Sequence, residues 1–358
     1  MDAAALRAAF PVLERTAYLN AGTCGPLARA ALERAAAAWE RAGTLGRSSG
    51  YYERLFEAAP RLRAAYAAML GADPTDVALT TSTSEGIVRA LAGLDLGPGD
   101  EVLTAEDEHP GLLGPLVTLH KRRGIAIRTA PLEAIADAVG PRTALVACSH
   151  VSWTTGTLAP AGLAALDVPV LLDGAQGVGA VPVDVGALGC ALYAGSGQKW
   201  LCGPVGTGML WIAPQWAARV APLGLTYGNL ADPGAGLAAE PWPDARRHDA
   251  PTIAVEQLEV ALAAHEVLDG FGWPAVHERA AALAGELAER LRAAGRRLAP
   301  RGASTLVSWH SAEPVDEAQR LAQAGVVVRA IPNTPYLRAS VGAWNDSGDL
   351  DRLLAALA

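Results

Sequence analysis

Cysteine is scarce in these 358 residues, and Cys24, Cys148, Cys190 and Cys202 show neither a CxxC pair nor zinc-ligand spacing. That argues against a disulfide framework and a zinc module, and leaves reduced thiols in a cytoplasmic protein as the expectation. No apolar run approaches the ~20 residues needed to span a bilayer. The opening MDAAALRAAFPVLERTAYL carries charges throughout and lacks the apolar core and cleavage signature of a secretory leader. Basic charge is also short. The formal net charge is −8, and KRR at 121–123 and RRHD at 246–249 are too brief for a nucleic-acid surface. Neither a membrane nor a nucleic acid is an expected partner. Internal repeats and heptad arrays are absent as well.

What is present is the composition of a well-buried globular chain, 51% apolar and 18% charged. Its length suits one large domain and one smaller one. Helices are predicted at Leu27–Ala42 and Glu53–Leu70, flanking a mobile-looking stretch, GTLGRSSGYY. Beyond them, strand candidates Val77–Thr80, Glu101–Thr104, Ala126–Arg128, Ala144–Ala147, Val168–Leu172, Ala191–Ala194 and Gly208–Ile212 alternate with helices at Ser84–Ala92, Pro110–Arg123 and Leu132–Val139. Such alternation implies a mainly parallel sheet covered on both faces. The Pro/Gly-rich run from Gly224 to Pro243 breaks the pattern, and should cross the surface or rim a site. Helices at Thr252–Leu268, Trp273–Ala294, Val315–Ala324 and Asp349–Leu357 follow, with strands at Thr305–Trp309, Val326–Arg329 and Tyr336–Val341. The division expected is a large α/β domain over 15–245 and a small α+β domain over 246–358, with residues 1–14 packed on the latter.

Two residues stand out. Asp173 ends the apolar run Val168–Leu172, which delivers a carboxylate at the C-terminal end of a buried strand. Lys199 lies in Ser196-Gly197-Gln198-Lys199-Trp200, just after the strand Ala191–Ala194. A desolvated lysine able to form an imine, with a buried acid to hold a protonated pyridine nitrogen, is what pyridoxal phosphate requires. Taken singly, each is better read as a solvated surface group.

Other polar groups gather at strand ends. Thr80-Thr81-Ser82-Thr83-Ser84-Glu85 lies between strand and helix, where backbone amides and hydroxyls can cradle an anion or simply cap the helix. His109, in Glu108-His109-Pro110, can lie flat on an aromatic ring, act as an acid–base group, or only cap. Trp153, in HVSWTTG, can pack on a ligand or close the core. Gln176 is near enough to Asp173 to share its site, or satisfies nearby backbone. Arg338, in Leu337-Arg338-Ala339-Ser340, presents a guanidinium suited to an α-carboxylate, or to a surface ion pair.

Together, TSTSEGI, EHPGLLGP, HVSWTTGTLAP, DGAQGVGAVPVDV, SGQKWLCGPVGTGML and an opening Tyr18-Leu19-Asn20-Ala21-Gly22 resemble the class V aminotransferase superfamily of fold-type I pyridoxal-phosphate enzymes. That group includes cysteine desulfurases, selenocysteine lyases, cystine C–S lyases and isopenicillin N epimerase-like proteins. The resemblance covers nearly the whole chain. It implies pyridoxal 5'-phosphate as cofactor, with Lys199 as its covalent anchor and proton shuttle and Asp173 facing the pyridine nitrogen. Thr83, Ser84, Ser196 and Gln198 would hold the phosphate, His109 would stack on the ring, and Gln176 would touch the ring hydroxyl. Trp153 would border both cofactor and substrate. Arg338 and Asn20 would meet the substrate. It also implies a homodimer with shared active sites, in which the Asp249–Thr252 segment, through Thr252, reaches a neighbour's phosphate.

Two departures narrow the reaction. Trp153 stands where desulfurases carry Asn, and Gln198 stands where many members carry His. No cysteine follows Cys202, so the usual desulfurase thiol position ahead of Arg338 is empty. An aspartate about 4 Å from the ring nitrogen contributes roughly 4 kcal/mol at an effective dielectric near 20, on the order of a thousandfold in rate. The expected activity is C–S β-lyase chemistry on a cysteine-derived amino acid. Transamination or epimerisation on the same lysine is the alternative, and a non-catalytic binding module on this fold is a second one. No metal is expected.

Overall fold

Short apolar runs separated by helix-forming stretches fold, as their alternation predicts, around a seven-stranded sheet. The computed structural model describes residues 1–358. In chain order the elements are α1 (Ala3–Ala8), β1 (Ala17–Tyr18), α2 (Arg29–Leu45), α3 (Ser49–Leu70), β2 (Val77–Thr80), α4 (Thr83–Gly93), β3 (Glu101–Ala105), α5 (Pro110–Arg123), β4 (Ala126–Ala130), β5 (Thr143–Ser149), β6 (Val170–Asp173), β7 (Leu192–Ser196) and β8 (Gly208–Ile212). The C-terminal part adds α6 (Val255–Gly270), α7 (Trp273–Ala293), β9 (Leu306–His310), α8 (Pro314–Gln323), β10 (Val326–Val327), β11 (Arg329–Ala330), β12 (Tyr336–Ser340) and α9 (Ser347–Leu357).

The large sheet runs β2-β8-β7-β6-β5-β3-β4. Its ladder is parallel from β7 to β4, while β8 is antiparallel to both β7 and β2. β2 therefore points the same way as β7, and the C-terminal ends of β2, β3, β5, β6 and β7 share one rim. Successive residues face opposite sides, as the period of a strand demands. Leu79, Val146, Leu172 and Met209 join Leu62, Tyr66 and Leu70 of α3 on one face. Ala78, Leu145, Leu171 and Leu210 join Ile87 of α4 and Leu112 and Leu116 of α5 on the other. With both faces covered, each buried Leu or Val contributes about 1.5–3 kcal/mol.

A second sheet, β11-β12-β9, is antiparallel and packs against α7, α8 and α9. The N-terminus is tied to this part of the molecule. β1 pairs with β10, and Phe10 meets Trp344 at a ring distance of 5.2 Å. α6 packs along α2 and α3.

Several elements differ from expectation. The stretch 43–52 is not an open linker, because α2 runs on to Leu45 and α3 begins at Ser49. Only Gly46, with φ of 72°, and two further residues separate them. Leu132–Val139 is a single 3-10 turn over Leu132–Ala134 rather than a helix. The Ala138 carbonyl accepts from Arg128 Nη2 at 2.6 Å, and the Thr143 hydroxyl accepts from Gly140 N–H, so a tight crossover replaces helical bonding. Val326–Arg329 divides into β10 and β11, which serve different sheets. The 224–243 run crosses the surface in short 3-10 turns.

The free edge of β2 is covered by the segment after β8. Leu79 N–H donates to Asp249 Oδ1 at 2.8 Å, and Ala250 N–H donates to the Leu79 carbonyl. Arg63 of α3 grips both oxygens of Asp249, at 3.0 and 2.6 Å. Removing one member of such a buried pair strands the other charge. Arg63→Leu is expected to lower unfolding free energy by about 3–5 kcal/mol, read from the urea midpoint at unchanged m-value.

Candidate active site

One cavity opens where the shared strand ends of the large sheet meet β11 and β12. Each strand delivers its polar group by stopping there. β6 terminates at Asp173 itself, and the turn after β7 carries Gln198 and Lys199. β2 leads into α4, whose N-terminus is fixed by Ser82 accepting from Glu85 N–H at 3.1 Å. Glu85 in return accepts from Thr81 N–H and hydroxyl and pairs with Arg89. The amide-rich start of α4 is thus rigid, with Thr83 and Ser84 facing the cavity.

Lys199 is half-buried and lines the cavity. Burial first, opposed by Asp173 and reinforced by Arg338, pulls its amine down to about 8. Burial raises the pKa of the Asp173 carboxyl, and the charge of Lys199 opposes that rise. The hydrogen bond that Asp173 accepts from Ala175 N–H, at 2.9 Å, orients it. The close approach of the Gly174–Gly177 loop explains its glycines: a Cβ at Gly174 would lie 2.1 Å from the Tyr193 ring, and one at Gly177 would lie 2.4 Å from the Tyr193 hydroxyl.

His109 caps α5, its Nδ1 accepting from Gly111 N–H at 2.9 Å, which places the proton of the neutral ring on Nε2. Burial, then the charges of Lys199, Arg329 and Arg338, lower its pKa to about 4. At neutral pH it is an uncharged flat ring, better fitted to stacking than to carrying a proton. Trp153 meets it edge-on, 4.9 Å between centroids at 90°. Gln176 lines the cavity with both ends of its amide engaged. Its Nε2 donates to the Gly22 carbonyl at 2.7 Å, and its Oε1 accepts from Trp200 Nε1 at 3.0 Å.

Arg338 is buried and donates from Nη1 to the Trp153 carbonyl. Its pKa is pulled down to about 9 by burial and then by Arg329, so it stays protonated at neutral pH. A Cβ at Gly22 would fall 2.7 Å from Ser340 Oγ, 2.8 Å from Arg338 Nη2 and 2.9 Å from Gln176 Oε1. Only glycine leaves that space open.

Not every expected residue reaches the cavity. Asn20 stops short of it, its side-chain oxygen accepting from the Thr23 hydroxyl at 2.8 Å. Thr252 is exposed and lies outside the lining. Three contributors went unforeseen. Thr23 lines the cavity, and Arg329 does so while donating to the Thr23 hydroxyl at 3.1 Å. Arg329 lies directly opposite Arg338 on the β11–β12 ladder, a cross-strand spacing that a confident strand pairing would have exposed. Glu108, buried behind the site, accepts from Ser149 N–H and hydroxyl. Burial chiefly pushes its pKa up to about 8. Mostly neutral at pH 7, it leaves little competing negative charge near Asp173.

A fold-type I architecture, with a buried lysine and a strand-end carboxylate on one rim, defines the class of a pyridoxal-phosphate-dependent enzyme. The aminotransferase class-V model matches residues 21–353, and the chain belongs to that family. It is 30% identical to the isopenicillin N epimerase of Amycolatopsis lactamdurans, over 91% of this chain and 84% of that one. It is 31% identical to a probable cysteine desulfurase of Pseudomonas aeruginosa, over 85% and 82%. Among solved structures, the cystine C–S lyase C-DES in complex with its product cysteine persulfide superposes with a TM-score of 0.90. The identity there is 28%, over 97% of this chain and 98% of that one.

Lys121 and Lys199 are the only lysines in the chain, which gives a direct test of the buried amine. Under reductive methylation with formaldehyde and cyanoborohydride, the rate at Lys199 should rise about tenfold per pH unit up to about pH 8 and then level off. Peptide mass spectrometry isolates the Lys199 site, and a rate there that keeps rising well past about pH 9 would contradict the lowered pKa.

Proposed function

We propose that the protein is a carbon–sulfur β-lyase acting on a cysteine-derived amino acid, with pyridoxal 5'-phosphate as cofactor. The observation that carries this reading is the opposed pair Arg329 and Arg338, beside Lys199 and Asp173 in one cavity. Neither arginine has a carboxylate partner. Like charges directly opposite on a ladder are destabilising, and a bound carboxylate offsets the repulsion. A disulfide amino acid such as cystine carries a carboxylate at each end. Similarity to a cystine C–S lyase supports the same substrate class.

The residues fit the cofactor. Thr83 Oγ1, Ser196 Oγ and Gln198 Oε1 are buried without hydrogen-bond partners, a set that a phosphate and the α4 N-terminus together would satisfy. Lys199 would anchor the aldehyde, Asp173 would hold the ring nitrogen, and the neutral His109 would lie on the ring. When bound, pyridoxal phosphate supplies an electron sink for the pair left at the substrate α-carbon. Arg338 fixes the α-carboxylate through paired hydrogen bonds, and so sets which α-bond faces Lys199. The Lys199 amine, uncharged above about pH 8, takes the α-proton. Asp173 would hold a proton on the ring nitrogen. The β-sulfur would leave with a proton as a thiol or persulfide, and one water would hydrolyse the remaining enamine to pyruvate and ammonia.

Epimerisation is a second reading, favoured by the likeness to isopenicillin N epimerase. There the proton would return to the α-carbon. The free state of all four cysteines suits a reducing cytoplasm, and no helix is long and apolar enough to cross a membrane.

Incubation with cystine and cysteine S-conjugates should release pyruvate in step with substrate loss. A D-amino acid without pyruvate would favour epimerisation, and keto acid with pyridoxamine phosphate would mean transamination. Borohydride should fix a pyridoxyl adduct on Lys199 alone, and Lys199→Ala should lower turnover by about 10²–10⁴-fold.

Two copies of the chain are proposed to associate through α2 and α3, where Trp39, Leu45, Tyr52 and Phe56 are exposed. Apolar patches of this kind mark interfaces, and Thr252 would then serve a neighbour's phosphate. Light scattering should give twice the chain mass, falling to one copy in Phe56→Arg/Trp39→Glu.

A further inference from the structure

We infer that Trp153 is the specificity-determining wall for the substrate's β-substituent, selecting a polarisable sulfur over oxygen. The inference rests on the reading above, in which an amino acid is held by Arg338. Apart from glycines, every residue lining the cavity except Trp153 and Ala175 is polar or charged. Trp153 is therefore its one large apolar surface.

That surface is held from three directions. The indole Nε1 donates to the Asp107 carbonyl at 2.7 Å. The ring abuts His109 at 90°. Its own carbonyl accepts from Arg338. Ser152, one residue earlier, donates to Asp107 Oδ2 at 2.9 Å and anchors the same turn. The indole thus abuts the flat ring of His109, its main chain meets the guanidinium that would take the carboxylate, and all three line the cavity a β-substituent would enter.

Sulfur gains from contact with an aromatic ring. An ether oxygen gains far less, and a carboxylate there would lose water without a new partner. A polar cavity with a single fixed indole therefore discriminates by the softness of the β-atom. Sequence reasoning left Trp153 divided between ligand contact and core closure. Its half-buried position on the cavity wall favours the first.

The test compares two ligands that differ by one atom, S-methylcysteine and O-methylserine, with alanine as the reference that lacks a β-substituent. Apparent dissociation constants come from the spectral shift on stopped-flow mixing with the cofactor-loaded enzyme, read before any pyruvate is released, so the readout is binding rather than turnover. The wild type should bind the sulfur compound about two- to tenfold more tightly than the oxygen one. Trp153→Phe should retain most of that ratio. Trp153→Leu, similar in bulk but without a π face, should bring it to about unity, with alanine affinity changing less than sulfur affinity. The main-chain bond to Arg338 survives in both variants. An unchanged ratio in Trp153→Leu, or an equal loss for all three ligands, would overturn the assignment. If the wild type prefers sulfur yet releases no pyruvate, the lyase reading fails and the role of Trp153 stands. A wild type that shows no preference sinks the role of Trp153 whatever the pyruvate assay gives.

Discussion

The site depends on an amine and a carboxylate placed out of water at the ends of neighbouring strands. Burial disfavours both charges, lowering the pKa of Lys199 and raising that of Asp173, and their mutual attraction recovers part of the loss. Arg338 and Arg329 tip the balance, leaving three cations around one carboxylate. Such an arrangement is unfavourable for the chain alone and favourable for anions that enter it. Ligands carrying a phosphate and carboxylates should therefore stabilise the folded protein by mass action as well as react in it.

That charge imbalance is tolerable because the scaffold beneath it is well packed. Asp173 and the Gly174–Gly177 loop rest on Tyr193, whose hydroxyl meets His150 Nδ1 at 3.1 Å. His150 itself is buried, with its pKa lowered to about 4, so this layer is neutral at physiological pH. The charges sit on a foundation that does not titrate with them.

The fold was legible because both periods were strong: fully apolar runs for the buried strands, and capped helices beginning at Ser82 and His109. Lys199 and Asp173 were legible because each follows a strand that announces its own end. What was hidden depended on pairing between distant segments. Arg329 looked like the tail of one strand, Val326–Arg329, and only its register with Arg338 shows that it shares the site. Gln176 lines the cavity, as its closeness to Asp173 suggested, while its amide spans Gly22 and Trp200, contacts that no local pattern records. The turn over Leu132–Ala134 was mistaken for a helix because alanine raises helix propensity, while the Arg128 bond that claims the Ala138 carbonyl lies outside the segment.

The turn at 152–157 is where the two sheets meet, and this shapes how binding and chemistry are joined. Ser308 Oγ of β9 donates to the Thr154 carbonyl, at 2.5 Å, and Ser304 Oγ donates to the Gly156 carbonyl at 2.7 Å. Gly156, with φ of 83°, fits against Leu306 where a side chain would collide. Lys199 and Asp173 stand at the end of the large sheet, and the guanidiniums of Arg329 and Arg338 stand on the small one. The Arg338 guanidinium is bonded to the Trp153 carbonyl, and the Trp153 indole to the Asp107 carbonyl, two residues before the His109 that caps α5. One turn of main chain therefore joins the Arg338 guanidinium on the small sheet to the ring of His109 on the large one.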